Sequence, residues 1–210
     1  MSAAAPRRLV LLRHGRTAWN HARRVQGHVD VELDEVGHQE ARAAAPEVAR
    51  LRPSLLWSSD LLRARQTASY VAAATGLEPS YDERLREFHL GERQGLTHDE
   101  YAAADAEEFA LFRLGHYDAA PGAEPTHEVG ERMRAALGDL LASLAPGECG
   151  VAVTHGAAAR VAVGAVLGWP AGQFRTLRGL GNCGWVEVVE HPAGGLALDA
   201  YNRVAAGQGA

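Results

Sequence analysis

An apolar run near the start of the chain ends directly in residues suited to phosphate chemistry. Residues 9–12 have the length and composition of a buried strand, and Arg13, His14 and Gly15 follow without a gap. A neutral imidazole is a nucleophile near pH 7, and a guanidinium is shaped to hold two phosphate oxygens. At the carboxyl end of a strand in an open sheet, this pair lies where such folds bind ligands. The motif predicts phosphoryl transfer through a phosphohistidine, although a lone histidine beside a glycine is more often a turn or core residue.

Strand and helix patterns alternate along the rest of the chain. Apolar runs of strand length recur between longer stretches with a hydrophobic period near 3.6 residues, and the last two runs flank a Pro-Ala-Gly-Gly turn. This alternation predicts an α/β fold, a three-layer sandwich with a mostly parallel central sheet and an antiparallel edge strand. We expect Thr126 to cap the longest apolar-faced helix. The predicted strands are 9–13, 54–58, 79–81, 149–154, 185–189 and 196–201, and the predicted helices are 37–51, 61–75, 126–144 and 157–167, with fragmentary helix over 97–114.

Length, charge and hydropathy limit the classes of protein to which the chain can belong. Its 210 residues, 47% of them hydrophobic, suffice for one well-formed core, so we expect a single domain over 1–210. The ordered core should span about 7–202, followed by a disordered tail over 203–210. A net charge of −5 favours neither nucleic acid nor an anionic membrane as a partner. The longest apolar stretch, 161–169, is far shorter than a membrane span.

Cysteine and histidine spacing give further expectations about compartment and cofactors. Cys149 and Cys183 lie far apart and lack metal-ligand spacing, which favours a reducing compartment. Residues 1–6 are too short for a signal peptide. We therefore expect a cytoplasmic protein that acts on a small molecule, and a homodimer is left open. No histidine spacing typical of a metal centre and no P-loop occurs, so we expect neither a metal nor a cofactor.

The first motif continues into a pattern that is about thirty residues long. From Leu12 to Ala41 the residue types and spacings resemble the signature of the histidine phosphatase superfamily, the phosphoglycerate mutase-like clan. The resemblance covers about residues 9–189 and implies His14 as the nucleophile. The binding residues that it implies are Arg13 and Asn20 for the phosphate, and Thr17, Gln26 and Gly27 for the substrate.

Two later motifs supply further phosphate-binding candidates. The stretch 58–68 follows a strand and opens a helix, and it looks like the family's S-x-L-x-R-A-x-x-T-A element, which places a phosphate-binding arginine at Arg63. The stretch 151–160 repeats the strand–His–Gly arrangement and resembles the family's V-x-H-G-x-x-x-R element, in which the histidine, here His155, helps to hold the phosphoryl group. Because these elements follow strands of a parallel sheet, we expect them to meet at one sheet edge.

The general acid lies in a stretch that holds several carboxylates. Composition alone does not choose among the acidic residues of 83–92. The resemblance to the family's L-x-E-x-x-x-G-x-x-x-G element, with glycines at Gly91 and Gly95, places the acid at Glu87. An acid that protonates a departing alkoxide must itself carry a proton, so partial burial or a nearby phosphate charge should keep this carboxyl protonated.

Within the clan, the choice lies between hydrolysis and the mutase reaction. Cofactor-dependent mutases resemble this chain up to residues 95–96 and then carry a longer insertion rich in basic and aromatic residues. Here only about thirty residues, acidic and Ala-rich, precede Thr126. Residues 85–91 and 181–185 look like those of actinobacterial phosphatases of the glucosyl-3-phosphoglycerate type. We therefore expect a metal-independent phosphatase of small-molecule phosphate monoesters, phosphoglycerate derivatives included; the alternatives are a phosphoglycerate mutase and, behind it, a protein phosphatase or an inactive binding member.

Overall fold

Strands and helices alternate along the chain. The protein is described by a computed structural model that covers residues 5–206. No helix in that range is long and apolar enough to cross a membrane. Short 3₁₀ helices lie at Glu83–Leu85, Gly91–Arg93, Tyr117–Ala119 and Gln173–Thr176. The other elements, in chain order, are β1 (Arg8–Arg13), α1 (Ala18–His21), α2 (Glu35–Arg50), β2 (Leu55–Ser58), α3 (Leu62–Thr75), β3 (Ser80–Tyr81), α4 (His98–Ala104), α5 (Ala106–Arg113), α6 (Thr126–Ala142), β4 (Cys149–Thr154), α7 (Gly156–Val166), β5 (Trp185–Glu190) and β6 (Leu196–Arg203).

All of these strands belong to one sheet, in the order β3-β2-β4-β1-β5-β6. The first four pair in parallel, whereas β5 is antiparallel both to β1 and to β6. The predicted mostly parallel sheet with an antiparallel edge is thereby confirmed. β1 is paired on both sides and covered on both faces, which explains why its sequence is a continuous apolar run rather than an alternating one.

Helices cover both faces of the sheet, so the predicted three layers are confirmed. In β1, Leu9 and Leu11 face the layer formed by α6 and α7, and Val10 and Leu12 face the layer formed by α2 and α3. Each of these side chains is at most 1% exposed. Burying a side chain of this size contributes about 1.5–3 kcal/mol to folding. The strand that leads to His14 is therefore anchored in two hydrophobic cores at once.

Capping groups set the limits of the helices. α2 begins earlier than predicted because the Asp34 carboxylate accepts a backbone N–H of its first turn at 2.8 Å. α3 ends, as predicted, at Gly76, which has a φ of 75°. The prediction that Thr126 caps α6 was wrong, because Pro125 holds the cap position and Thr126 is the first helical residue. Its backbone N–H donates instead to Asp118 Oδ2 at 3.1 Å.

The ordered chain extends past the predicted core. β6 continues to Arg203, and Ala205 is only 3% exposed. The start of the predicted disordered tail is therefore structured, because pairing with β5 carries the last strand further than its hydrophobic pattern indicates. The predicted disorder of residues 207–210 lies outside the described residues, as do residues 1–4 of the segment judged too short for a signal peptide.

Candidate active site

Two histidines leave the sheet side by side, at the carboxyl ends of β1 and β4. The parallel register pairs Arg13 with Thr154, so His14 and His155 are the next residues on the two strands. Neighbouring strands lie about 4.8 Å apart, and the two imidazole centroids are 5.1 Å apart. His14 is 3% exposed and His155 is fully buried. The structure thus brings the two strand–His–Gly motifs together at one edge of the sheet.

The imidazole of His14 is held neutral, with one nitrogen free. Its Nδ1 lies 2.7 Å from the carbonyl oxygen of Gly15. Because a carbonyl only accepts, Nδ1 carries the proton and Nε2 keeps its lone pair. Burial, followed by the positive charges of Arg63 and Arg13, holds the pKa of His14 well below its ordinary value of 6.5. A neutral, oriented imidazole of this kind is a competent nucleophile.

Two guanidinium groups lie beside this imidazole, that of Arg63 buried and that of Arg13 partly buried. Arg63, in the first turn of α3, donates from Nη1 to Val29 O at 3.0 Å and from Nη2 to Gly27 O at 2.8 Å. Arg13 donates from Nη1 to Leu180 O. The Nε atom of each arginine is buried without a hydrogen-bond partner, and neither forms an ion pair with a carboxylate within residues 5–206.

These two cations fit a bound anion. Burial lowers the pKa of Arg63 to about 10, so the group remains charged at neutral pH. Glu87 acts electrostatically on both cations, and an arriving phosphate would add negative charge and supply acceptors for the two unpartnered Nε atoms. We call Arg13, His14, Arg63 and His155 the basic cluster.

One ring nitrogen of His155 is engaged and the other has no hydrogen-bond partner in the described chain. Its Nε2 lies 2.8 Å from Ser59 Oγ, and that oxygen also accepts the N–H of Leu61 at 3.3 Å. The other ring nitrogen, Nδ1, is buried and unpartnered within the described chain. Burial and the charge of Arg63 hold the pKa of His155 well below 6.5.

Glu87 is fixed at the beginning of α7. Its carboxylate accepts the backbone N–H groups of Ala157 at 3.1 Å and Ala158 at 2.8 Å. Its carbonyl oxygen accepts His28 Nε2 at 2.7 Å and Arg132 Nη2 at 2.9 Å. Because α7 follows His155 directly, the carboxylate and the basic cluster share one rigid support. Glu87 faces the same cavity as His14.

The loop after β1 supplies the other predicted binding residues in different ways. Asn20, Gln26 and Gly27 line the cavity. Thr17 does not line it: its hydroxyl caps α1 by accepting Asn20 N at 3.1 Å and lies 3.1 Å from Gln26 Oε1. Thr17 therefore positions Asn20 and Gln26 and does not face the cavity itself.

The cavity over the basic cluster has a volume of about 140 Å³. Of the predicted residues, His155 and Thr17 do not line it; the others do and form one side. The opposite side, which we call the second wall, was missed by the sequence analysis and consists of Arg24, Leu90, His98, Phe112 and Tyr117. Three of these, His98, Phe112 and Tyr117, belong to the 97–125 segment, whose short length and acidic, Ala-rich composition gave no indication of a binding surface.

Several acidic residues of that segment make contacts within the fold. Asp105 caps α5 by accepting Glu108 N at 2.9 Å, and Glu108 pairs with Arg93 at 2.8 Å. Glu100 accepts the N–H of Thr97 at 2.7 Å in the capping box of α4. The side chains of this segment that line the cavity are aromatic residues and a histidine. A substrate in the cavity would therefore contact these side chains rather than the acidic ones.

Two further features of the described chain are separate from this site. A cavity of about 520 Å³ between α6 and α7 is lined by none of the predicted site residues. Within residues 5–206, no group of three or more histidines, cysteines, aspartates and glutamates is arranged to hold a metal ion.

Comparison with known proteins identifies the class to which this fold and site belong. The profile of the histidine phosphatase superfamily (branch 1) matches residues 9–204. The chain therefore belongs to the histidine phosphatase superfamily, as its motifs predicted, and is a phosphoric monoester hydrolase of that superfamily.

The similar proteins include phosphatases and a mutase. The chain is 38% identical over 191 residues to a glucosyl-3-phosphoglycerate phosphatase of Mycolicibacterium vanbaalenii, which covers 88% of this chain and 85% of the relative. A mycobacterial glucosyl-3-phosphoglycerate phosphatase solved in complex with VO3 superposes with a TM-score of 0.88 at 38% identity, covering 93% of this chain and 98% of that one. A probable phosphoglycerate mutase of Serratia proteamaculans is also 38% identical, over 82% of this chain and 80% of the relative.

Proposed function

We propose that the protein hydrolyses the phosphate ester of a phosphoglycerate derivative through a phosphohistidine on His14, with glucosyl-3-phosphoglycerate as the first substrate to test. The observation that carries the proposal is the neutral imidazole beside two guanidinium groups whose Nε atoms are buried without a hydrogen-bond partner in the described chain. The similarity to glucosyl-3-phosphoglycerate phosphatases supports the choice of substrate.

In the first step, His14 Nε2 attacks phosphorus in line with the ester oxygen. A P–N bond forms, the P–O ester bond breaks, and the proton of the Glu87 carboxyl passes to the leaving alkoxide. Arg13, Arg63, Asn20 and His155 hold the other phosphate oxygens.

In the second step, water attacks phosphorus from the side that the alcohol has left. Glu87, now a carboxylate, takes a proton from this water, the P–N bond breaks, and inorganic phosphate is released with His14 again neutral. The guanidinium groups and His155 supply the charge stabilisation, so the steps require no metal ion.

The second wall supplies a cation for the rest of the substrate. Arg24 lines the cavity outside the basic cluster; its guanidinium lies 5.7 Å from the ring centroid of Trp19, donates to Gly95 O and pairs with Glu100 at 3.7 Å, a pairing that a substrate carboxylate would have to share. A phosphoglycerate derivative carries a carboxyl group near its phosphate ester, and Arg24 is suited to bind it. His98, on the same wall, has its pKa lowered by burial and by the charges of Arg113 and Arg23, which favours the neutral form.

The mutase reaction is the second candidate, because a probable mutase is as similar in sequence as the phosphatases. The decisive experiment measures both reactions on one preparation, with EDTA present throughout. We expect phosphate release from glucosyl-3-phosphoglycerate, and little interconversion of 2- and 3-phosphoglycerate after priming with 2,3-bisphosphoglycerate. Interconversion faster than phosphate release by orders of magnitude would establish the mutase instead. Activity lost in EDTA and restored by a divalent ion would contradict the metal-free mechanism.

A small metabolite suits this cavity better than a protein substrate does. The second wall confines the cavity to about 140 Å³, whereas a phosphotyrosine phosphatase needs an open, shallow cleft. We also infer one catalytic domain over 1–210 that acts in the cytoplasm without nucleic acid. Both cysteines are free and buried, which suits a reducing compartment. Sedimentation of the full chain tests the homodimer left open by the sequence.

A further inference from the structure

The ring of Tyr117 forms part of the second wall. This residue begins the 3₁₀ helix Tyr117–Ala119 and lines the cavity together with His14 and Glu87. Its ring centroid lies 5.1 Å from that of Phe88 and 5.7 Å from that of Phe112. Aromatic packing on two sides fixes the plane of the ring and therefore the position of its hydroxyl.

The hydroxyl of Tyr117 has one hydrogen bond and one free proton. Arg160 Nη1 donates to the phenolic oxygen. Because a guanidinium has donors only, the tyrosine oxygen is the acceptor in this bond, and its own hydrogen needs a different partner. No residue in the described part of the chain accepts that hydrogen. Burial raises the pKa of the Tyr117 hydroxyl, so it stays protonated at neutral pH.

Arg160 acts on the cavity only through this tyrosine. It lies on α7, is 9% exposed and does not line the cavity. Its guanidinium carbon lies 5.8 Å from the centroid of the Tyr117 ring, and its Nη2 donates to Arg175 O at 3.3 Å. No carboxylate within residues 5–206 forms an ion pair with Arg160.

The same helix links this hydroxyl to Glu87, whose charge contributes to the raised pKa of Tyr117. The first turn of α7 binds the carboxylate of Glu87 through Ala157 and Ala158, and Arg160 follows two residues later. Glu87 is the group that faces the leaving oxygen in the proposed mechanism. A donor held by this helix therefore meets the alcohol part of the ester rather than the phosphoryl group that is transferred.

We propose that Tyr117 is a specificity-determining residue whose hydroxyl donates a hydrogen bond to an acceptor oxygen on the alcohol part of the substrate, and that Arg160 is the residue that positions it. This inference rests on the proposed function and extends it: the site favours phosphate esters whose alcohol carries a carboxylate or hydroxyl oxygen close to the ester bond. Esters of a plain hydrocarbon alcohol leave the tyrosine donor without a partner.

The test compares Tyr117→Phe with wild type on two probes, 3-phosphoglycerate and phenyl phosphate. The first has acceptor oxygens beside its ester and the second has none. We expect kcat/KM for 3-phosphoglycerate to fall roughly 10- to 100-fold, mainly through KM, because a buried hydrogen bond is lost. For phenyl phosphate we expect a change of less than about twofold, since the ring and its packing are retained.

Tyr101→Phe is the matched control. Tyr101 is fully buried in the same aromatic cluster, 5.4 Å from Phe112 between ring centroids, but it does not line the cavity. Removing the Tyr101 hydroxyl should leave the ratio of kcat/KM for 3-phosphoglycerate to kcat/KM for phenyl phosphate unchanged. Thermal unfolding of both variants verifies that each is folded.

Arg160→Gln tests whether Arg160 positions the hydroxyl of Tyr117. It should reproduce the selective loss on 3-phosphoglycerate, and combining it with Tyr117→Phe should add little further loss, since both changes remove one interaction. Equal losses on both probes, no loss in Tyr117→Phe, or full additivity would overturn the inference while the hydrolase function stood. Wild-type protein that released phosphate from neither probe nor from glucosyl-3-phosphoglycerate would refute the proposed function, and this inference with it.

Discussion

At the scale of single residues, His14 carries the proposed chemistry. Replacing it by alanine should reduce turnover by roughly ten-thousand-fold or more, because no other side chain on the cavity offers a free imidazole lone pair at the end of β1. The variant should remain folded, and rapidly quenched wild type should carry an acid-labile phosphate that the variant lacks. His21→Ala, a change at an exposed histidine of the neighbouring helix α1, is the control and should retain full activity. Substantial turnover by well-folded His14→Ala protein would exclude the phosphohistidine.

The role of Glu87 is tested through the leaving group. Glu87→Gln keeps the shape of the side chain but cannot supply a proton, so hydrolysis of an alkyl phosphate should fall roughly 10²- to 10⁴-fold. Hydrolysis of 4-nitrophenyl phosphate should fall far less, since its leaving oxygen is stable without a proton. Glu92→Gln, at an exposed glutamate five residues later, is the matched control. Equal losses on the two esters would assign Glu87 a purely structural role.

Residue motifs could predict one side of the site and not the other. Arg13, His14, Arg63 and His155 each lie next to a strand or at the start of a helix, so local sequence was enough to find them. Tyr117 lies in an irregular connection, and only the packing of its ring against Phe88 brings it to the cavity. A contact of this kind depends on the whole fold and has no local pattern.

At the scale of elements, α2 must approach the loop after β1 very closely. A Cβ added to Gly37 would lie 1.9 Å from Arg16 O, and one added to Gly15 would lie 2.5 Å from Gly37 O. Gly37→Ala should therefore lower the free energy of unfolding by about 1–3 kcal/mol and also reduce activity, because the loop that follows His14 must shift. Urea unfolding and phosphate release on the same samples provide the measurement.

Gly138→Ala, in α6, is the control for Gly37→Ala. Gly138 is an exposed residue of α6, and a Cβ there would meet nothing within 4 Å. This change should raise the free energy of unfolding by about 0.5–1 kcal/mol and leave activity intact, because alanine loses less backbone entropy in a helix. Similar effects at positions 37 and 138 would show that the close approach does not matter.

Most elements could be predicted from the sequence, and their limits were decided by caps. The helix that begins at Thr126 illustrates the difference: its apolar face was evident, but a threonine at its start could equally be cap or first residue. The acidic 97–125 segment was interpreted from composition, which does not reveal that Asp105 and Glu108 are engaged within the fold. The end of β6 depended on pairing with β5, which is not local information.

At the scale of the whole molecule, buried histidines link stability to pH. The pKa values of His14 and His155 are held well below 6.5, first of all by burial. Below about pH 6.5 the unfolded chain takes up protons on these residues and the folded protein does not. The free energy of unfolding should therefore fall as the pH is lowered, by up to about 1.4 kcal/mol per pH unit for each histidine, and these two should contribute no slope above pH 7.5.

Urea unfolding at pH 7.5, 6.5, 5.5 and 5.0 measures this dependence. His14→Ala should have a smaller slope than wild type, because it removes one of the two buried neutral histidines. Stability that is constant or rises between pH 7 and pH 5 would contradict the burial of neutral histidines. Activity, in contrast, should persist below pH 6.5 as far as folding allows, since His14 remains a neutral nucleophile.

The fold class could be predicted from the sequence, but the order of the strands in the sheet could not. Alternating strands and helices indicate a parallel sheet covered on two faces, and this is what forms. They do not indicate that β1 lies between β4 and β5, because neighbours in a sheet are chosen by long-range packing. That order is what places His14 beside His155.

The two sides of the cavity have different origins, and this has an evolutionary consequence. The basic cluster is built on the central sheet and the helices that begin at its edge, whereas His98, Phe112 and Tyr117 come from a peripheral segment between two core elements. Mutations in that segment can exchange one organic alcohol for another without disturbing the groups that act on phosphorus. A lineage of such enzymes can therefore diversify its metabolites at a small cost in folding, and directed evolution of substrate range should begin between residues 97 and 125.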